Sequence, residues 1–567
     1  MKKYIYTVSK LILFSFIFSA CNFLDQDPQN GFDPDQATEP EGFVTSAYAG
    51  LSNNRNAGLW SWGDVRSDDA YKGGGGTTDG YEEHCYEIST DIKTTFGGPD
   101  GYWFNMYSNI SRVNNALKVL NSVSETDFPM KATRIAEMKF LRGYFYFNLK
   151  IMFKNVPYID EYLPEEEYET VPNTALENDV LWAKIIEDFQ YATAHLPVKH
   201  TNKNSEVEVG RVNKYAAAAF TAKAYLYKAF RQDIKNNVIE INTDDLKKVL
   251  LYTDTVMTSS YALETDFGFN FLPGGYENGP ESLFAIQFSK DDGTMFGRLN
   301  WADFLSVPQG LGCCDFHKPS QNLVNAFKTS NGLPMFDDYN KINYNKNADM
   351  VDPRLLHTVA MPGLPYKYNE SLIFQESWNR YPSLYGVYAS LKENVDPSCD
   401  CFVNVSPYYA NTKNKILIRF ADVLLIRAEA LIELSRETEA LPLINEVRAR
   451  AERSATGLVN YAGNYSVTFK VDTYKNGVNC TWSNDFARNA LRWERRLEFA
   501  MENSRFFDLA RWGVAADVMN EYYKTEASRR TYYSGALFMK NKNEYVPIPQ
   551  QQIGYSRGVY EQNYGWD

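Results

Sequence analysis

The sequence predicts a mainly α-helical protein: a scaffold of packed helical hairpins that carries long irregular loops and a few short strands. Three observations predict it. Apolar residues recur at helical spacing in two separate blocks of the chain. Ala-rich faces such as 216–224 (AAAAFTAKA) let helix backbones approach closely, as in stacked hairpins. Between the blocks, from about 262 to 415, periodicity fades while Gly, Pro, Asn and aromatic residues rise. A chain of 567 residues removes roughly 75% of its unfolded surface from water, so it needs neither disulfides nor metal to supply a core.

The elements follow in chain order. Lys2, Lys3 and Lys10 precede and flank an apolar run at 11–20 that is too short to span a membrane stably, so 1–20 is a secretory signal. Phe18-Ser19-Ala20-Cys21 resembles a bacterial lipobox, with Phe18 where such boxes usually carry Leu, and it makes Cys21 the expected lipidation site. Acyl chains at about 0.8 kcal/mol per buried methylene would anchor the mature protein firmly. Residues 21–40 are acidic, rich in Pro and Gly and unpatterned, and read as a tether. In 133–151, Met138, Leu141, Phe145 and Leu149 share one helix face. The runs 104–120, 178–194, 212–231 and 243–258 have the same texture. Residues 41–260 therefore form an N-terminal helical region.

Residues 261–567 form the second region, loop-rich over 262–415. A helix–turn–helix follows at 418–434 and 437–451, with Val423, Ile426 and Ala430 on one buried face and Leu441, Ile444, Val447 and Ala451 on the other. Further loops are expected at 51–98 and 455–485. The tail holds Pro547-Ile548-Pro549, extended by proline restriction.

Several function classes are disfavoured. The net charge is −13 with no basic block, which argues against nucleic-acid binding. Outside the first 20 residues no apolar run reaches the 18 residues a spanning helix needs. The five His form no HExxH motif, and there is no GxSxG elbow, GxxxxGK[ST] loop or GxGxxG turn. No catalytic residue, metal or cofactor is assigned. Two suitably spaced carboxylates suffice for a glycosidase, so a surface glycoside hydrolase stands as an alternative. The distinctive composition is aromatic: 10 Trp, 40 Tyr and 35 Phe, or 15%. Such rings pair a flat apolar face with a polar handle, which suits sugar stacking as well as core packing.

Six cysteines remain after Cys21: Cys85, Cys313, Cys314, Cys399, Cys401 and Cys480. Free thiols, disulfides within or between the two close pairs, and a zinc site are all open readings. A bridge at Cys313-Cys314 would offer a flat sulfur surface to a sugar ring.

Ordered along the mature chain, a set of short motifs resembles the SusD/RagB family of outer-membrane, glycan-binding lipoproteins. The set begins with Cys21-Asn22-Phe23-Leu24-Asp25 and continues through Trp103, Tyr107 and Arg112-Val113-Asn114 to 137–144 (EMKFLRGY). Gly210-Arg211, Glu281-Ser282-Leu283-Phe284 and Asp352-Pro353-Arg354 come next. Arg419-Phe420-Ala421-Asp422, 494–499 (ERRLEF), Arg505-Phe506-Phe507-Asp508-Leu509 and Pro547-Ile548-Pro549 complete it. The resemblance implies tetratricopeptide-like helical hairpins, a surface-exposed position on the outer membrane, and a non-enzymatic role in nutrient uptake. The implied ligand is an oligosaccharide or polysaccharide, or a peptide as in other members. The implied partner is a SusC-like, TonB-dependent transporter that the protein closes like a lid.

Glu498, Arg505, Asp508, Arg419, Asp422, Arg427 and Glu429 are read as ion pairs of the scaffold, and Trp103 as scaffold packing. Glycan contacts are sought among aromatics in turn-rich segments beside Arg, Asn or Asp. The candidates are Trp60 and Trp62 with Asn53, Asn54 and Asp68, the Trp378-Asn379-Arg380 run, and Tyr408 and Tyr409 ahead of Asn411. Cys313 and Cys314 join them as a stacking surface.

Overall fold

The structure is a computed structural model that describes residues 39–52, 60–202, 204–293, 298–301, 303–406 and 408–566. Cys21, Asn53 and Asn54 lie outside the described residues. Helices dominate, as the periodicity predicts. Five long ones, α1 (Gly97–Ser122), α2 (Lys131–Phe153), α3 (Asn178–His195), α4 (Lys214–Ala229) and α5 (Thr243–Met257), pack each against the next. After the irregular segment the chain returns to this stack: α6 (Phe420–Glu433) packs on α5, and α7 (Glu437–Arg453) packs on α6. The result is the tetratricopeptide-like scaffold that the family resemblance implies.

Local chemistry sets the helix starts. The Asn213 side chain accepts from the amides of Tyr215 and Ala216, and Asn242 accepts from Asp245, so each caps the helix that follows it. Ala216–Ala219, Ala222 and Ala224 are buried, which is where the Ala-rich face lets α4 approach its neighbours. One hydrophobic core runs from Val44 to Ile548 and so draws on both sequence regions. A second, smaller core around Leu323, Leu355 and Leu497 lies under the irregular part.

Strands are short. The irregular part holds two-stranded antiparallel pairs, such as β1 (Ala70–Gly73) with β3 (Phe316–Pro319) and the hairpin of β4 (Phe402–Val405) and β5 (Tyr408–Asn411). β6 (Lys415–Arg419) pairs with β2 (Ser282–Ile286) and runs directly into α6, which joins the irregular part to the scaffold.

Two segments expected as loops carry helices, Tyr81–Ile88 and Val459–Tyr465. The tail adds α8 (Asn484–Glu498), α9 (Arg505–Arg511) and α10 (Ala515–Ala527). In α8 the inward positions include apolar Ala487, Ala490, Leu491 and Leu497 at helical spacing, and charged Glu494, Arg495, Arg496 and Glu498 beside them.

The charged motif residues are scaffold ties, and apart from Asp508 with Arg511 in one helix their partners lie on other elements. Asp422 takes Lys223 and Arg495, Glu429 takes Arg511, Arg427 takes Asp254, and Asp508 takes Arg495 and Arg511. Trp103 is buried against Phe153 and Tyr107. Each close cysteine pair is bridged internally, Cys313 to Cys314 and Cys399 to Cys401, while Cys85 and Cys480 are free thiols.

Candidate ligand-binding surface

The candidate surface is assembled from three separated segments, 298–316, 376–381 and 402–411, with 73–79 at its edge. The first descends through two tight turns, Phe304–Ser306 and Gln309–Leu311, to the Cys313–Cys314 bridge and then into β3. Its start is tied to the β4–β5 hairpin by the Asn300 amide, which donates to the Asn411 carbonyl at 2.9 Å. Asp303 is buried and accepts from Asn300 Nδ2 at 2.8 Å and Lys415 Nζ at 2.7 Å. Burial alone would raise its carboxyl, but Lys415 and Lys413 outweigh that and hold it below the usual range.

Lys318 fixes the second segment to the first. Its Nζ donates to Asp315 Oδ1 at 2.7 Å and to Asn379 Oδ1 at 2.6 Å, while the other Asp315 oxygen accepts from the Arg380 amide at 2.7 Å. The Arg380 guanidinium then reaches Asp79 Oδ2 at 2.9 Å, with both side chains 39% exposed. An arginine and a carboxylate are thus held at the surface with hydrogen-bonding capacity left over.

Two glycines let the rings close on the cysteine loop. A Cβ on Gly310 would fall 2.4 Å from the Trp378 ring, and one on Gly312 only 1.7 Å from Tyr409. Gly312 also has φ +144°, a region that side-chain-bearing residues rarely adopt. Trp378 and Tyr409 therefore flank the segment that carries Cys313 and Cys314. Tyr409 stacks on Phe402 at 5.2 Å, its diagonal neighbour across the hairpin, and Tyr408 meets Phe304 edge-on at 5.0 Å. Trp301 extends the row, 5.9 Å from Phe304. Tyr408 and Arg380 are exposed; Trp301, Phe304, Cys313, Trp378, Phe402 and Tyr409 are half-buried; Cys314 is buried.

The structure thus brings together Cys313, Cys314, Trp378, Arg380, Tyr408 and Tyr409. It places the other three candidates elsewhere. Trp60 is 5% exposed and lies against His317 and Phe316, and Trp62 is 4% exposed against Tyr86 and Tyr102. Their faces are taken by protein, and Trp60 supports the cysteine loop from behind. Asp68 is buried and paired with Arg496 at 2.9 Å and Arg505 at 2.8 Å. Against the burial that would raise it, those two cations lower its carboxyl to about 2. Its place is structural, so no ligand contact is assigned to it.

Sequence reasoning did not single out Trp301, Phe304, Phe402 or Asp79. Trp301 and Phe304 did carry a signal, two aromatics three residues apart in an aperiodic stretch just before Cys313. Chemically, the surface offers ring faces for the C–H face of a flat ligand and a guanidinium–carboxylate pair for hydroxyls.

A family model described as the SusD family matches residues 280–566, and one described as starch-binding associating with outer membrane matches residues 22–226. A SusD-like protein of Formosa agariphila is 24% identical over 583 residues, covering 96% of each chain. Among solved structures, a SusD homologue from Bacteroides thetaiotaomicron superposes with a TM-score of 0.70 at 20% identity, covering 93% of this chain and 97% of its own. Surface glycan-binding protein A from the same organism, in complex with laminarihexaose, gives a TM-score of 0.60 at 19% identity, covering 92% and 98%.

Proposed function

The chain belongs to the SusD family, and on that premise we propose that it captures an oligosaccharide at the cell surface and delivers it to a SusC-like, TonB-dependent transporter, without itself turning the ligand over. The observation that carries this reading is the row Trp301, Phe304, Tyr408, Tyr409, Cys313 and Trp378, with Arg380 and Asp79 beside it. Rings at a surface give sugars apolar faces, and the charged pair gives their hydroxyls partners. The laminarihexaose complex of the structural relative supports a saccharide as the ligand class. Lys318, the Asn300 bridge and the cysteine bridge hold the loops in place before a ligand arrives, so little conformational entropy is lost on binding. The protein sits on the outer membrane, held by acylated Cys21.

A glycan array on the purified protein, then calorimetry on the hits, tests the binding reading. Tyr408→Ala and Trp378→Ala should each weaken the best hit by about 1–3 kcal/mol, by analogy with base stacking on aromatic rings. That is about 5- to 150-fold in Kd. Tyr408 is the cleaner site because it is exposed, whereas Trp378 also packs on Tyr366 and Phe374. Circular dichroism checks that each variant folds. Unchanged affinity in Tyr408→Ala, Trp378→Ala and Arg380→Ala would move the binding surface elsewhere.

The anchor has its own test. Cys21→Ala should stay unlipidated and appear in the soluble fraction after cell breakage, where the parent pellets with the outer membrane. A variant that still pelleted with the outer membrane would rule out the acyl anchor.

A further inference from the structure

A second cleft, sharing no residue with the surface above, opens between α8, α10 and the loop at 336–341. It has a volume of about 830 Å3, in the range of small-molecule sites. Tyr339 and Trp493, both half-buried, meet at right angles in its wall at 5.0 Å.

The unusual group in this cleft is Arg492. The other arginines of α8 are all matched: Arg488 with Glu433, Arg495 with Asp422 and Asp508, Arg496 with Asp68 and Asp69. Arg492 has no hydrogen bond and no ion pair among the described residues, and its guanidinium lies 4.8 Å over the Trp512 ring. Glu429 and Glu433, the nearest acids to influence it, are committed to Arg511 and Arg488. Burial, with Arg488 and Arg511 adding to it, pushes Arg492 below its ordinary value. One turn earlier on the same helix face, exposed Asn489 also has no hydrogen-bond partner for its amide among the described residues. A half-buried guanidinium without a counter-ion is a poor structural element, because stacking on Trp512 and the field of acids committed to other arginines offset its desolvation only in part. Its planar fork matches a carboxylate or a sulfate.

From this we infer that the cleft is a second ligand site and that it takes an acidic sugar unit, one bearing a carboxylate or sulfate that Arg492 receives. The class rests on the saccharide reading proposed above. The rim supplies the remaining contacts: Asp337, Asp517 and Glu521 are exposed carboxylates that accept sugar hydroxyls, and Asn489 donates. Asp68, the other acid in the wall, is turned to Arg496 and Arg505. A free inorganic anion would satisfy Arg492 but would leave most of the cleft unfilled.

Saturation-transfer NMR on the intact protein, with galacturonate, glucuronate, glucose 6-sulfate and glucose as probes, tests this directly. The three acidic sugars should saturate and glucose should not. Arg492→Gln should cut the acidic signal at least tenfold. Asn489→Tyr, an exposed substitution that fills the cleft, should do the same and serves if Arg492→Gln fails to fold. Equal saturation by glucose overturns the acidic assignment, and full displacement by equimolar inorganic sulfate reduces the site to a free-anion site and overturns it too. Acidic-sugar binding lost in Tyr408→Ala but kept in Arg492→Gln places those sugars on the first surface, which sinks the second site and leaves the proposed function standing. No saturation by any acidic sugar, with glycans still bound on the array, also rejects the inference alone; an array with no binding glycan rejects the proposed function itself.

Discussion

Glu498→Ala should lower the unfolding free energy by about 3–5 kcal/mol, the loss seen when one partner of a buried ion pair is removed. Glu498 is fully buried near the end of α8. One carboxylate oxygen accepts from Arg419 at 2.5 Å and from Arg450, and the other accepts from Arg354 at 2.9 Å. These three arginines reach it from the end of β6, from α7 and from the segment after Pro353. Around them, Glu281, Asp352, Glu494 and Glu502 complete a network that also includes Arg448. Cutting Glu498 to Ala leaves three buried guanidinium groups short of an acceptor, and none can turn to water without moving its element. The exposed pair of Arg436 and Glu439 supplies the contrast, with side chains 45% and 54% exposed. Glu439→Ala should change stability far less, because water already screens that pair. Urea unfolding of both variants reads the difference. Equal losses would mean that the network is not what joins the irregular part to the helices.

The same network explains what could be read from the sequence. Helices α1–α7 were legible because Leu, Phe, Met, Val and Ala recur at regular spacing among their inward positions, even where α2, α6 and α7 also bury charges such as Arg142, Asp422 and Arg450. α8 keeps Ala487, Ala490, Leu491 and Leu497 at helical spacing, but Glu494, Arg495, Arg496 and Glu498 also face inward. The suitability of those charges for the interior depends on partners far along the chain. A local pattern carries no information about a partner such as Glu281 or Asp352.

The candidate surface divides in the same way. Trp378, Tyr408, Tyr409 and the cysteine pair stand in turn-rich, aperiodic sequence, and that much was visible. Trp60 and Trp62 stand in sequence of the same texture, yet β3 delivers Phe316 and His317 to the first, and Tyr86 and Tyr102 cover the second. Which aromatic stays open is decided by long-range packing. So is the closing of Trp378 and Tyr409 on the cysteine loop, which depends on Gly310 and Gly312 having no Cβ. Arg492 belongs to the same class, since an arginine without a partner looks like any other until its neighbours are placed.

His317 should make the protein lose stability as the pH rises from about 6.5 to 10. The residue is buried in β3, three residues beyond Cys314 of the bridge. Its Nδ1 donates to Glu393 Oε1 at 2.5 Å and its Nε2 donates to Asp64 Oδ2 at 3.0 Å. A ring that gives a hydrogen bond from both nitrogens to carboxylates is an imidazolium. Burial on its own would lower the histidine, but the charge of Glu393 and the hydrogen bonds to both acids outweigh it and raise it to about 10. Because the folded value lies above the ordinary value of about 6.5, this stabilisation is complete below pH 6.5 and is lost as pH climbs toward 10. A tenfold change in proton affinity is worth about 1.4 kcal/mol, so the whole is on the order of 5 kcal/mol. His317→Gln cannot carry the charge. The stability gap between parent and variant, measured by urea unfolding at half-unit pH steps, should therefore shrink by about 4 kcal/mol between pH 6.5 and 9.5. Taking the gap removes most of the titration of the many lysines, which the two proteins share. A gap that stayed constant across this range would mean that the ring is neutral in the fold. Since His317 holds β3 to Asp64 and Glu393 directly behind Cys313 and Cys314, the same titration should loosen the loop against which Trp378 and Tyr409 pack. Glycan affinity should then fall with rising pH over the same interval in the parent, and not in His317→Gln.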